Sequence, residues 1–162
     1  MISYILVIMN IVKTIDQYDE NYVFFCDPIK NNVMNEGSFI RIIYSTPNVV
    51  LNGVYILITL NDISCEKYYS KYRCGFNALA HKELIDNLKI IEDGLLKKVN
   101  IQQKIPQNKI NEQLKNGNLK VFSEITNKTT CSFILKISGI WESDKEIGIT
   151  FKFIPNPSLT ST

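Results

Sequence analysis

Basic and aromatic residues alternate in one short segment, Ser64–Phe76. The basic residues are Lys67, Lys71 and Arg73, and the rings are Tyr68, Tyr69, Tyr72 and Phe76. Nucleic-acid bases stack on aromatic side chains with about 1–3 kcal/mol per base, and cations between the rings neutralise phosphates. The composition is therefore typical of a groove that binds single-stranded nucleic acid. It also fits an edge strand or an exposed loop whose tyrosines lie flat on the surface.

No catalytic signature accompanies this segment. The single histidine, His81, has no nucleophile motif beside it, and we expect it to be solvated at the start of a helix. The seven glycines are scattered, so no glycine loop is available to hold a phosphate. Acidic pairs such as Glu142 with Asp144 lie in polar turns, where carboxylates are usually solvated. The sequence predicts a protein that is not an enzyme and uses no cofactor.

The four cysteines form no C-x-x-C pair. A zinc site needs four close ligands, and Cys65, Cys74 and His81 would offer only a loose arrangement. We therefore expect no bound metal, and we interpret the cysteines as small buried groups in a reducing, intracellular compartment.

The length and net charge of the chain limit how these residues can be interpreted. The 162 residues suit one globular domain, which we place at residues 1–154, followed by a frayed tail at 155–162. The net charge of +2 is too small to predict polyanion binding by itself, so a basic site requires local clustering. The most apolar run, Ile2–Val12, covers only about half of the ~20 residues that cross a bilayer. We interpret it as a strand and expect no membrane contact.

The first half of the chain reads mainly as strands. Tyr22–Cys26 and Phe39–Ser45 are rich in β-branched and aromatic residues. A turn at Thr46–Asn48 leads into the long apolar run Val49–Leu60, so we expect a hairpin of this run with Phe39–Ser45. Gly53 interrupts the run and predicts a bulge or a sharp bend.

The second half combines two helices with three strands. Apolar residues at helical spacing predict a helix over Lys82–Lys97 and a shorter one over Gln107–Lys115, which Asn116 and Gly117 end in the left-handed manner. Strands follow at Leu119–Glu124, Cys131–Trp141 and Glu146–Ile154, and alternation makes the last two a half-buried antiparallel hairpin. The inward residues of this hairpin are Cys131, Phe133, Leu135, Ile137, Ile147, Ile149, Phe151 and Phe153. The order of elements predicts a mainly β (α+β) fold, a small antiparallel barrel with one long and one short helix.

The closing hairpin carries a resemblance. Lys136–Trp141, a short charged turn and Gly148–Phe153 resemble the last hairpin of single-stranded-DNA-binding proteins with the OB fold, found in short-tailed phages and large nucleocytoplasmic DNA viruses. The segments Phe39–Tyr44 and Leu51–Tyr55 resemble small proteins of the same viruses. About a third of the chain takes part, and the acidic C-terminal tail of such proteins is missing, since no acid follows Glu146.

The resemblance implies an OB-like barrel that binds an unpaired strand across one face during DNA replication. It makes Lys136, Trp141 and Lys152 candidates for contact with the strand. With the tyrosine-rich segment, the predicted nucleic-acid-binding residues are Lys67, Tyr68, Tyr69, Lys71, Tyr72, Arg73, Lys136, Trp141 and Lys152.

The prediction for function is non-catalytic binding of single-stranded DNA with little sequence specificity, inside a cell, in the host cytoplasm or nucleus if the protein is viral. The alternative is a viral structural or protein–protein interaction protein, which uses the sheet edge or the tyrosine-rich segment to meet partners or a second copy of itself.

Overall fold

The structure is a computed structural model that describes residues 11–30, 37–123 and 130–156. The predicted strand Ile2–Val12 lies outside these residues except for its last two. In the part of the chain that the structure describes, no helix is long and apolar enough to cross a membrane.

The described residues are mainly β structure with two helices. The strands are β1 (Val23–Phe25), β2 (Ile29–Lys30), β3 (Ser38–Ser45), β4 (Val50–Leu51), β5 (Val54–Asn61), β6 (Ser64–Tyr68), β7 (Lys71–Gly75), β8 (Ile105–Gln107), β9 (Asn118–Val121), β10 (Thr130–Glu142) and β11 (Glu146–Pro155). The helices are α1 (Lys82–Lys98) and α2 (Lys109–Lys115). Short 3-10 turns lie at Ile15–Gln17, Glu20–Tyr22 and Leu79–His81.

Strand β10 is the centre of the larger sheet. It pairs with β5 from Thr130 to Ile137 and with β3 from Gly139 to Glu142. Its other edge pairs with β11, with a shift of register between Ile137 and Gly139. Strand β8 runs parallel to β11, so the sheet is open and mixed, whereas we predicted an antiparallel one.

The core lies against one face of this sheet. In β5 the residues Ile56, Ile58 and Leu60 are almost completely buried, while the residues between them are half-buried or exposed. This is the alternation that a strand with one covered face requires. The apolar stripe of α1 and the buried residues of α2 belong to the same core, so both helices cover the inward face.

A smaller sheet of β6, β7 and β9 completes the core with Cys74, Leu119 and Val121. Helix α2 is tied to α1 by the buried Glu92, whose carboxylate accepts hydrogen bonds from the amides of Ile110 at 2.9 Å and Asn111 at 3.0 Å. The first amides of a helix have no partner within the helix, and a carboxylate is stabilised there. Glu92 thus fixes the position of α2.

Most of the predicted elements are confirmed. Both helices are present, and α2 ends at Gly117, whose φ of +73° is the left-handed conformation that we predicted. The closing hairpin of β10 and β11 is confirmed as well. It continues further than expected: Pro155 belongs to β11, and the Asn156 amide donates to the Ser132 carbonyl at 3.0 Å. The rest of the predicted tail, residues 157–162, lies outside the described residues.

The predicted hairpin of Phe39–Ser45 with Val49–Leu60 is wrong beyond its first residues. Strand β3 pairs with Val50 and Leu51 only, and the chain then turns at Gly53 and joins β10 as β5. Gly53 has a φ of +127°, and a Cβ there would lie 2.8 Å from the carbonyl oxygen of Ile137, so only glycine fits. The predicted bend is confirmed, but it moves the strand to a different neighbour.

His81 lies at the start of α1 as predicted, half-buried, and both of its ring nitrogens have backbone partners. Its Nε2 accepts a hydrogen bond from the Asn61 amide at 3.0 Å, and its Nδ1 lies 2.9 Å from the Asn77 carbonyl oxygen. An amide only donates and a carbonyl only accepts, so these partners require a neutral ring with its proton on Nδ1. His81 joins the end of β5 to the start of α1.

Candidate nucleic-acid interface

The larger sheet has a second face, opposite the core, which we call the outer face. Cross-strand pairing arranges its residues in rows, each with one residue from β3 or β5, one from β10 and one from β11. The rows are Phe39, Trp141 and Gly148; Arg41, Gly139 and Thr150; Tyr55, Lys136 and Lys152; and Leu57, Ile134 and Ile154. Side chains of the same strands that point inward, such as Ile56 and Ile140, are fully buried. The outer face therefore carries the residues that alternation leaves for a solvent or a ligand.

Two rings of the outer face lie over glycines. A Cβ at Gly148 would lie 2.5 Å from Cζ2 of Trp141, and one at Gly139 would lie 2.6 Å from Cζ of Phe39. The indole of Trp141 thus occupies space that any side chain at position 148 would fill. Aromatic rings over strand glycines are fixed by the sheet beneath them, which makes them firm platforms for stacking.

Three cations accompany these rings. Lys136 and Lys152 are direct cross-strand partners, and Arg41 lies in the neighbouring row. The Lys136 ammonium is 5.5 Å from the ring centroid of Tyr55, a cation–π contact. Within the described residues none of the three forms an ion pair. Like charges directly opposite each other destabilise a sheet, and Lys136 and Lys152 form such a pair.

Acidic residues are missing from the four rows of the outer face. The next outward position along β11 is Glu146 at the turn, where its Oε1 accepts a hydrogen bond from Gln107 at 3.1 Å. The positive potential of Arg41, Lys136 and Lys152 is therefore not cancelled locally. A local cluster of this kind can bind a polyanion although the whole chain is nearly neutral.

The tyrosine-rich segment forms a separate structure, the hairpin of β6 and β7 in the smaller sheet. Alternation divides its predicted residues between two faces. Lys67 and Tyr72 share the face of the buried Cys74, whereas Tyr68, Lys71 and Arg73 point away from the core. Tyr69 is at the tip, 83% exposed, with a φ of +57° that is unusual for a bulky residue.

The predicted contacts thus belong to two surfaces. The outer face brings together Lys136, Trp141 and Lys152, while the hairpin holds the six predicted residues of the tyrosine-rich segment. Sequence reasoning missed Phe39, Arg41 and Tyr55 on the outer face. Alternation places Phe39 and Arg41 on one face of their strand. They lie near Trp141 only because β3 pairs with β10.

The two candidate metal ligands Cys65 and Cys74 are cross-strand neighbours. Burial, followed by the hydrogen bond with Cys65, raises the pKa of the Cys74 thiol far above its ordinary value. Among the residues that the structure describes, no group of three or more metal-binding side chains occurs.

Comparisons with protein-family models, with curated proteins and with solved structures find no match for this chain. The resemblance to OB-fold proteins of phages and large DNA viruses therefore stays a prediction.

Proposed function

We propose that this chain binds single-stranded nucleic acid, DNA in particular, through its outer face, without catalysis and with little sequence preference. The observation that carries the proposal is the pattern of that face. Its cations, Arg41, Lys136 and Lys152, lie in rows next to the rings of Phe39, Tyr55 and Trp141, and no row contains an acid.

In this proposal the rings bind the bases and the cations bind the phosphates. Every base has a flat face that can stack on Trp141 or Phe39, so stacking adds affinity without selecting a sequence. The phosphates between the bases would meet Arg41, Lys136 and Lys152, which lie one or two strands away on the same face. Duplex DNA keeps its bases stacked inside, so it can use the cations only. The face should therefore prefer unpaired strands.

An OB-like barrel is the architecture that we propose for this sheet. The long strand β10 is shared between β5 and β3, and a bulge separates the two pairings at Ile137 and Gly139. Bulges of this kind increase curvature and help a sheet to close. OB folds bind oligonucleotides across such a curved face. The shared strand supports the proposal, and so does the sharp bend at Gly53.

The test is the salt dependence of binding. Fluorescence anisotropy with a labelled single strand of ~20 nucleotides should show affinity that falls steeply as salt rises, with duplex as a weak competitor. In the double variant Lys136→Gln/Lys152→Gln, the slope of log K against log salt should decrease by about 1.4, since each phosphate contact to a single strand contributes ~0.7.

A matched control removes two other lysines. Lys97 and Lys115 are exposed, lie on the two helices and form no ion pair in the described part of the chain. Lys97→Gln/Lys115→Gln changes the net charge equally, and we expect it to leave the slope nearly unchanged. Equal slopes for the two double variants would reject the outer face as the binding site.

A second candidate function is binding of a protein partner or a second copy, as in a viral structural protein. It is favoured by Phe24 and Ile29, which are each 54% exposed and pair with the rim of the outer face through Ile43 and Phe39. Exposed apolar patches of this kind often mark interfaces. Such binding should depend little on salt, so absence of oligonucleotide binding even at low salt would favour it. Either function would be exercised inside a cell, in the host cytoplasm or nucleus if the protein is viral.

A further inference from the structure

A groove follows the smaller sheet on the side away from the core. It consists of two adjoining cavities of ≈ 450 and ≈ 310 Å³, which share Arg73 and Lys120 as lining residues. We call it the small-sheet groove. None of the outer-face residues lines it. Ligand pockets for small molecules have volumes of this order.

The shared part of the groove is cationic. Arg73 and Lys120 are direct cross-strand partners on β7 and β9, and neither forms an ion pair within the described residues. Arg73 is positioned by its Nε, which donates to Oδ1 of Asn118 at 3.2 Å. Glu66 is the direct cross-strand partner of Arg73 and weakens the field, but four cations line the groove against the one carboxylate of Glu112, which pairs with Lys109 at 3.2 Å. A phosphate would relieve the repulsion between the two cations.

The smaller cavity is aromatic. Tyr68 and Tyr69 line it together with Lys71; Tyr72 lines it as well, but its side chain lies on the core face of the hairpin. The rings of Tyr68 and Tyr69 meet edge to face with centroids 4.7 Å apart, and Tyr68 is 51% exposed. The Lys71 ammonium lies 5.1 Å from the ring centroid of Phe122, a cation–π contact that positions this lysine. A flat apolar ring could stack here beside the cations.

The larger cavity adds amides. Gln113, Asn116 and Asn118 line it next to Arg73 and Lys120. The Oε1 atom of Gln113 is buried and receives no hydrogen bond from the described part of the chain. Because this oxygen is closed to solvent, the amides of Asn116 and Asn118 are the ones that a ligand in the groove can reach.

From this juxtaposition we propose that the small-sheet groove binds a phosphorylated planar ring compound of the nucleoside monophosphate class. Its phosphate lies against Arg73 and Lys120, its ring against Tyr68 and Tyr69, and its hydroxyls against the amides of Asn116 and Asn118. This site is separate from the outer face and does not depend on strand binding there.

Isothermal titration calorimetry with adenosine 5′-monophosphate, inorganic phosphate and adenosine tests the proposal. The monophosphate should bind at least tenfold more tightly than phosphate or adenosine alone, since only it uses both cavities. Arg73→Gln/Lys120→Gln should weaken its binding at least tenfold, while Lys136→Gln/Lys152→Gln on the outer face should leave it unchanged. Circular dichroism and urea unfolding verify that each variant is folded.

Three results would overturn the site. Equal binding of phosphate and the monophosphate would reject the aromatic cavity. Unchanged binding in folded Arg73→Gln/Lys120→Gln would reject the cationic part, and no binding of the monophosphate by the unmodified protein would reject the groove altogether. Loss of oligonucleotide binding by the outer-face variant would remain a separate result, so the two proposals can fail independently.

Discussion

The outer face and the small-sheet groove each contain a pair of neighbouring cations, but the residues around the two pairs differ. Each places two cations directly opposite each other on neighbouring strands, Lys136 with Lys152 and Arg73 with Lys120. On the outer face the neighbours are rings in an open series of rows without an acid. In the groove the neighbours are amides, tyrosines and one carboxylate along a concave surface. An extended series of rows suits a polymer that passes across it, whereas a concave groove suits one small ligand.

The two regions also differ in the secondary-structure elements that support them. The outer face rests on β10, whose partners on both edges are other strands of the larger sheet. The groove depends on α2, a helix of seven residues that supplies Gln113 to the lining. Short helices are marginal by themselves, so α2 must be held by tertiary contacts. Changes that loosen α2 should therefore affect the groove and spare the outer face.

The largest effect is expected for Glu92. Glu92→Ala leaves the amides of Ile110 and Asn111 without their acceptor, and at about 1–3 kcal/mol per unsatisfied amide we expect a loss of ~2–6 kcal/mol in the free energy of unfolding. Monophosphate binding should be lost with the position of α2, while oligonucleotide binding by the remaining folded protein stays. Urea unfolding and the two binding assays measure this. Equal weakening of both ligands would show that the two surfaces are not independent.

Glu92 also predicts a pH dependence. Burial raises the pKa of its carboxyl above the ordinary value of 4.5, although the amides of Asn111 and Ile110 oppose the rise. The folded protein then binds a proton at a higher pH than the unfolded chain. The stability contributed by this group is greatest below pH ~4.5 and falls as pH rises through the raised pKa. Glu92→Gln should remove that slope in urea unfolding measured across pH, and parallel curves for the two proteins would contradict it.

A smaller effect is expected for Trp141. Trp141→Ala removes one stacking ring, so oligonucleotide affinity should fall by about 1–3 kcal/mol, while monophosphate binding is unchanged. Trp141→Phe keeps a ring over Gly148 and should recover most of the affinity. Gly148→Ala provides a second route, because its Cβ would lie 2.5 Å from the indole and must displace it. If Trp141→Ala weakened the monophosphate instead, the assignment of ligands to the two surfaces would be reversed.

Periodicity made the helices and the closing hairpin predictable. The stripe of Leu88, Ile91 and Leu95 specified α1, and alternation in β10 and β11 specified which face is buried, because both signals are local. The hairpin of β3 with β5 could not be excluded in this way. Gly53 announced a bend, but the partner of the strand beyond it is chosen by packing across more than 70 residues of chain.

The candidate site was predictable to the same extent. Lys136 and Lys152 share the outer face because of alternation on one hairpin that is local in sequence, whereas Trp141 joins them only because the register shift between Ile137 and Gly139 changes the phase of β10. Arg41 joins them only through the pairing of β3 with β10, and Lys120 joins Arg73 only through β9. The composition of Ser64–Phe76 suggested one binding segment. In the hairpin of β6 and β7, alternation along the strands instead separates its side chains onto two faces.

The smallest predicted effect concerns the like-charged pairs themselves. Lys152 is opposite Lys136, and Lys120 is opposite Arg73. If each pair serves to bind an anionic ligand, it should lower the free energy of unfolding when that ligand is absent. Lys152→Thr and Lys120→Thr should each raise the free energy of unfolding by about 0.2–1 kcal/mol, since threonine also suits a strand. The gain should be larger at low salt, where repulsion is less screened. Lys97→Thr, on a helix and away from both pairs, should give no such gain. A lower free energy of unfolding in both strand variants would mean that the aliphatic parts of the two lysines stabilise the sheet by packing. It would contradict the view that these lysines were retained for ligand binding at a cost in stability.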